Sequence, residues 1–127
     1  DGRDCQTCHL PVVPVDGLGS RASHAFTPIT PQAAMDVEGL TDSCSACHEE
    51  AVSPELLQKL IDDVQTDTRE RIDMARAAVN AGTPTWVNDA LDFVEGDGSL
   101  GIHNYAYADA LLDAIFTELE LFPASGQ

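Results

Sequence analysis

The chain has 127 residues, enough for one domain, and carries 22 Asp and Glu against 6 Lys and Arg, for a formal charge of -16. That balance excludes nucleic acid and an anionic membrane surface as direct partners, because phosphate is recognised through Lys and Arg. It suits steering toward a positively charged protein, or simply a surface adapted to saline surroundings.

Taken in order, the chain opens almost at once on Cys5-Gln6-Thr7-Cys8-His9, which returns as Cys44-Ser45-Ala46-Cys47-His48. C-x-x-C-H is the attachment pattern of c-type haem. Each cysteine forms a thioether with one haem vinyl group, and two intervening residues give the reach to span both. The following histidine is held over one face of the ring, where its imidazole takes the iron. The two copies use all four cysteines of the chain. One zinc on four thiolates leaves the paired histidines unexplained. Disulfide staples need no histidine there, and a thioredoxin-like pair expects no second copy. The cofactor expected is therefore haem c, two per chain, held by Cys5, Cys8, Cys44 and Cys47 and ligated by His9 and His48.

Between the motifs, residues 10–43 hold Pro11, Pro14, Pro28 and Pro31 with Gly17, Gly19 and Gly39. This reads as a loop wrapped over the cofactors, with one helical turn near Pro31–Met35 and His24 inside it. From Ser53 the pattern becomes helical, with Ser53 as N-cap, Pro54 at the first helical position and Glu55 in the first turn. Leu56, Leu57, Leu60, Ile61, Val64, Thr68, Ile72, Ala75 and Val79 follow at three- and four-residue spacing. Asp62, Asp63, Asp67, Arg69, Glu70, Arg71 and Asp73 mostly take the other face, and Gly82 is expected to be left-handed just past the end.

A second helix follows Thr83-Pro84, with Trp86, Val87, Ala90, Leu91, Phe93 and Val94 inward, and Gly96-Asp97-Gly98-Ser99 breaks it. Glu95–Ser99 lacks the ligand register of a calcium loop. A third helix runs from about His103 or Asn104 to Phe122, with Tyr107, Ala110, Leu111, Ala114, Ile115, Leu119 and Phe122 as its stripe, and Pro123 ends the fold. No strand or hairpin is expected. The fold class is mostly α: one dihaem domain over 1–127, with a haem-binding loop region at 1–52 and a helical region at 53–122, one of its three helices long. So few aromatics, one Trp, two Tyr and four Phe, suit a core in which porphyrins fill the aromatic volume, so the chain without haem is expected to fold poorly.

Two irons with two ligands each need four, and the chain has four histidines: His9, His48, His24 and His103. Met35 and Met74 are the rival sixth ligands, and either would raise the potential of its haem. Bis-histidine iron changes little on reduction and so favours electron transfer over chemistry. Nothing reads as a serine nucleophile with its base, or as a phosphate loop.

In the order of these pieces, Cys5–Pro11, His24, Cys44–His48 and Gly101-Ile102-His103-Asn104, the chain resembles the C-terminal part of the multihaem cytochromes related to ammonia-forming cytochrome c nitrite reductase. The likeness spans about residues 5–122. It implies His103 as distal ligand of the first haem, on Cys5 and Cys8, and leaves His24 for the second. In the larger relatives the loop histidine can reach a haem outside this segment, so ligation of another chain's haem, in a dimer or filament, is the alternative. The nitrite-reducing haem of that family has lysine in place of the motif histidine, and C-x-x-C-K does not occur here, so nitrite reduction by this chain alone is not expected.

The function expected is that of a dihaem electron-transfer cytochrome, not an enzyme, passing single electrons between redox proteins. The alternatives are a subunit of a polymeric electron conduit and a haem protein with one open iron. No apolar run is long enough to span a bilayer and no leader precedes the first motif, so the chain is expected to be mature or excised. Because haem is attached to c-type cytochromes outside the cytoplasmic membrane, a periplasmic or extracellular location is expected.

Overall fold

The computed structural model describes residues 5–48 and 52–121, apart from the side chains of Ala46 and Cys47. Among the described residues eight elements follow in order: α1 (Cys5–His9), β1 (Val12–Val15), β2 (Gly19–Ala22), α2 (Pro31–Asp36), α3 (Ser45–His48), α4 (Pro54–Ala78), α5 (Thr85–Gly96) and α6 (Tyr105–Glu118). The expected mostly α class, with three C-terminal helices of which one is long, is what the chain adopts. Contacts divide it into two compact units, residues 1–60 and 61–127.

In the first unit the expected loop contains a hairpin, which corrects the reading of no strand. β1 and β2 pair antiparallel with Val12 opposite Ala22 and Val15 opposite Gly19. Pro14 is tolerated because both strands of a two-stranded ribbon are edges, where a missing N–H need cost no ladder bond. Gly17 (φ 72°) and Gly19 (φ 68°) supply the left-handed residues that a short turn demands. The helical turn near Pro31 forms as α2, capped by Thr30, whose hydroxyl accepts the Ala33 N–H at 3.2 Å.

α4 starts as its sequence predicts. The Ser53 hydroxyl accepts the Leu56 N–H at 3.3 Å, and 25 residues give a rod about 37 Å long. It does not end as predicted, because Gly82 is not left-handed. The Asn80 side chain closes the turn instead, accepting the Gly82 N–H at 2.9 Å, while the Asn80 N–H is taken by Thr83 Oγ1 at 2.9 Å.

The second unit has a core of its own: Ile72 and Ala75 of α4, Val87, Ala90, Leu91 and Val94 of α5, and Leu112, Ile115 and Phe116 of α6. Trp86 and Phe93 were expected inside and lie exposed, because the 87/90/91/94 stripe already fills the inward face of α5. In α6 the stripe is rotated, with Leu112 and Phe116 buried and Tyr107, Ala110 and Ala114 exposed. Phe122 and Pro123 lie outside the described residues. Arg71, expected on the solvated face of α4, is largely covered: its guanidinium meets Asp109 at 2.6 Å and Asp113 at 2.5 Å and stands 5.2 Å from the Phe116 ring centroid. Arg76 pairs with Asp92 and Glu95 of α5. Among the described residues, no helix is long and apolar enough to cross a membrane.

Candidate haem site

Both pentapeptides are wound as short helical turns. In α1 the three- and four-residue spacings put Cys5, Cys8 and His9 along one side of the turn. Cys5 and Cys8 are exposed and not bridged by a disulfide. His9 is aimed by its own ring: Nδ1–H donates to the Phe26 carbonyl at 2.8 Å. Phe26 has a left-handed backbone (φ 55°), unusual for a bulky residue, and its side chain is exposed. With Nδ1 engaged, a metal held by this ring would be taken by Nε2. His24 is exposed and falls two residues after β2 and two before Phe26, in the loop that supplies this carbonyl.

The second motif is shaped by Asp42, whose role the sequence reading missed. Its carboxylate is buried and accepts the Cys44 N–H at 2.8 Å, the Ser45 N–H at 2.7 Å and the Ser45 hydroxyl at 2.5 Å. It thereby caps α3, which contains Cys47 and ends on the exposed His48. Burial pushes the Asp42 carboxyl up, but the hydrogen bonds from Ser45 and Cys44 outweigh it and hold the group below its ordinary value. Cys44 is half-buried, and the Cys47 side chain is outside the described structure. An acceptor ahead of a helical turn was the available signal.

Ser43 brings the motifs together. Its hydroxyl donates to the Cys8 carbonyl at 3.1 Å and accepts the Ile29 N–H at 3.0 Å, and its own N–H donates to the Ile29 carbonyl at 2.8 Å. The residue after Ser43 is Cys44, so the second motif begins one residue from a direct bond to the first.

His103 lies in the second unit, just before α6. Its Nδ1–H donates to Asp97 Oδ1 at 2.8 Å, and its backbone N–H donates to Ser99 Oγ at 3.0 Å. Ser99 in turn donates its hydroxyl to Asp97 Oδ2. Gly101 lets this segment lie against α4: its φ is 92°, and a Cβ there would stand 3.0 Å from Thr68 Oγ1. Exposed Ile102, Tyr105, Tyr107 and Phe93 occur in the same unit. Phe93 and Tyr107 stack edge to face at 5.8 Å beside a shallow cleft of about 80 Å³ that Asp97 also lines. Met35 and Met74, the rival sixth ligands, are both exposed.

The residues fit haem. Among the described residues of the first unit, only Pro11, Ile29, Pro31, Asp42 and Leu57 are buried, while Val12, Leu18, Phe26, Met35, Val37, Leu56 and Leu60 stand exposed. So much uncovered apolar surface on so few residues is what a large flat apolar group would cover. Among the described residues, no three His, Cys, Asp or Glu side chains converge as a metal site.

No family model and no curated protein matches the chain. Among solved structures, the crystal structure of the outer cell wall cytochrome OcwA matches 93% of this chain at 32% identity with a TM-score of 0.77. The match spans about a quarter, 25%, of that cytochrome's length. In fold and in nearly a third of its aligned residues, this chain is similar to part of a cytochrome.

Proposed function

We propose that the chain is an electron-transfer unit carrying two covalent haems c, attached at Cys5 and Cys8 and at Cys44 and Cys47. The observation that carries this reading is the folding of both pentapeptides as helical turns tied through Ser43. The likeness to a cytochrome supports it. Haem iron, when bound, supplies a one-electron couple. The chain's own work is to present imidazoles in fixed orientation. His9 and His48 serve as motif ligands, and His103 and His24 as the distal pair, His103 on the first haem and His24 on the second or on a haem of another chain. Phe26 orients His9, and Asp42 holds the backbone that carries Cys44. The excess of carboxylates favours a redox partner with a basic docking face. Haem attachment of this kind, and a cell-wall cytochrome as structural neighbour, support an exported location.

Mass spectrometry and a pyridine haemochrome assay test the reading. The expected result is the bare chain plus two haems. A colourless protein of bare mass overturns it. The rival of an open iron site predicts prompt carbon monoxide binding by the reduced protein, whereas saturated ligation predicts none.

A further inference from the structure

Asp97 occupies an odd place. It is the C-cap of α5, where the carbonyl ends make an anion unfavourable and a cation welcome, in a chain that already carries a charge of -16. Helix stability gives no reason for a carboxylate there. The network around it does. Both carboxylate oxygens are engaged: Oδ1 takes the His103 Nδ1–H, and Oδ2 takes the Ser99 hydroxyl together with its N–H, the latter at 3.2 Å. Ser99 Oγ then accepts the His103 backbone N–H, so the ring and the backbone of one residue are fixed by the same two side chains. The segment is held in an unusual backbone: Gly98, Leu100 and Gly101 all have φ between 52° and 92°. Glycine adopts such φ values freely, but Leu100 carries a Cβ, and its left-handed backbone persists only where surrounding contacts over-determine it.

We infer that Asp97 is the positioning residue of His103: its carboxylate fixes the ring so that Nε2 is the ligating nitrogen, and its charge, passed through the imidazole, lowers the reduction potential of the haem that His103 serves. The inference rests on the proposal that His103 is an axial ligand. Its physical basis is general. A hydrogen-bonded carboxylate makes an imidazole a stronger donor, and a stronger donor favours the more highly charged ferric iron over the ferrous. Three donors converge on the Asp97 carboxylate, the Ser99 hydroxyl, the Ser99 N–H and the His103 Nδ1–H, which is the surrounding that an anion needs. His9 makes the contrast, because its Nδ1–H meets the neutral Phe26 carbonyl at 2.8 Å. The two histidines are therefore unequal donors by construction.

The test is spectroelectrochemistry of the haem-loaded protein with Asp97→Asn, which keeps an oxygen for the Nδ1–H and removes the charge. The expected result is two haems that remain low-spin, with one midpoint shifted upward and the other unmoved, and Asp97→Glu restoring part of the shift. Unmoved midpoints in Asp97→Asn, while His103→Ala turns one haem high-spin, overturn the role of Asp97 and leave the ligation proposal standing. His103→Ala with both haems still low-spin overturns the ligation, and the role of Asp97 with it. Should Asp97→Asn not accumulate, nitrogen-15 NMR of the unaltered holoprotein decides. One axial histidine whose Nδ1–H is more strongly hydrogen-bonded than that of His9 supports the inference, and equal shifts overturn it.

Discussion

Replacing Gly101 by alanine probes how the second unit carries His103, two residues further on. A φ of 92° lies well past the narrow left-handed well open to residues with a Cβ. Holding alanine there costs about 1–3 kcal/mol. The new methyl would stand 3.0 Å from Thr68 Oγ1, closer than ordinary contact, and would touch Val64 Cγ1 at 3.4 Å, and Thr68 is only 3% exposed. Overpacking of that kind adds about 1–3 kcal/mol. One small shift of the loop relieves part of both, so the sum is roughly 2–4 kcal/mol. For a cooperative unit of this size each kcal/mol moves Tm by about 4–8 °C, giving a loss of about 10 °C or more. Thermal melts followed by circular dichroism, with Trp86 of α5 as a reporter inside the unit, read it. Gly96→Ala is the control: it lies in α5, has no positive φ, and its Cβ would meet nothing within 4 Å. It should be neutral or stabilise by up to about 1 kcal/mol. A Gly101→Ala melt within about 2 °C of the Gly96→Ala melt would refute the close-approach argument.

Two further changes probe the first unit. Asp42→Ala should cost about 1–2 kcal/mol as a lost cap. The Asp42 carboxyl sits below its ordinary 3.8 in the folded chain, so on acidification the unfolded chain takes up the proton first. Its contribution is therefore present above about pH 4 and fades as pH falls through that value toward the folded one. Melts across that range should show a flatter acid limb in Asp42→Asn than in the parent, and identical limbs would remove Asp42 from the account. Ser43→Ala strands the Ile29 N–H, on a residue only 9% exposed, and should cost about 1–3 kcal/mol. Hydrogen exchange at the Ile29 amide should accelerate, and Ser43→Thr, which keeps the hydroxyl, should restore protection.

How much was legible in the sequence follows from the range of the forces involved. Elements fixed by local chemistry read directly: the Ser53 cap, the proline at the start of α4, the Gly96–Ser99 break and the helical turn near Pro31. The hairpin is hidden because the prolines around it read as breakers, although Pro14 on an edge strand breaks nothing and Asp16-Gly17 announces the turn. Helix stripes were legible in period but not in phase. α6 has apolar residues on more than one face, and which face turns inward depends on α5, so the spacing alone puts Tyr107 inside and does not single out Phe116. The orienting partners were the least legible. Phe26 acts through a carbonyl, which every residue has. Asp97 lay inside a stretch read as a helix breaker and a failed calcium loop, and only the folded chain brings it to His103.

Burial is divided unevenly between the two units, and the division bears on how a short acidic chain can hold large cofactors. Among its described residues, the second unit closes a three-helix core with nine buried residues and uses two of the six basic residues, Arg71 and Arg76, on carboxylates of neighbouring helices. It can therefore hold the Asp97–His103 pair rigid from protein contacts alone. The first unit ties its backbone through Asp42, Ser43 and Phe26 but buries few apolar side chains, so the positions of its cysteines rest on hydrogen bonds and turns. Covalent attachment suits such a unit. A thioether persists whether or not the surrounding side chains are packed, and the rings it holds can then supply the burial that the local sequence lacks.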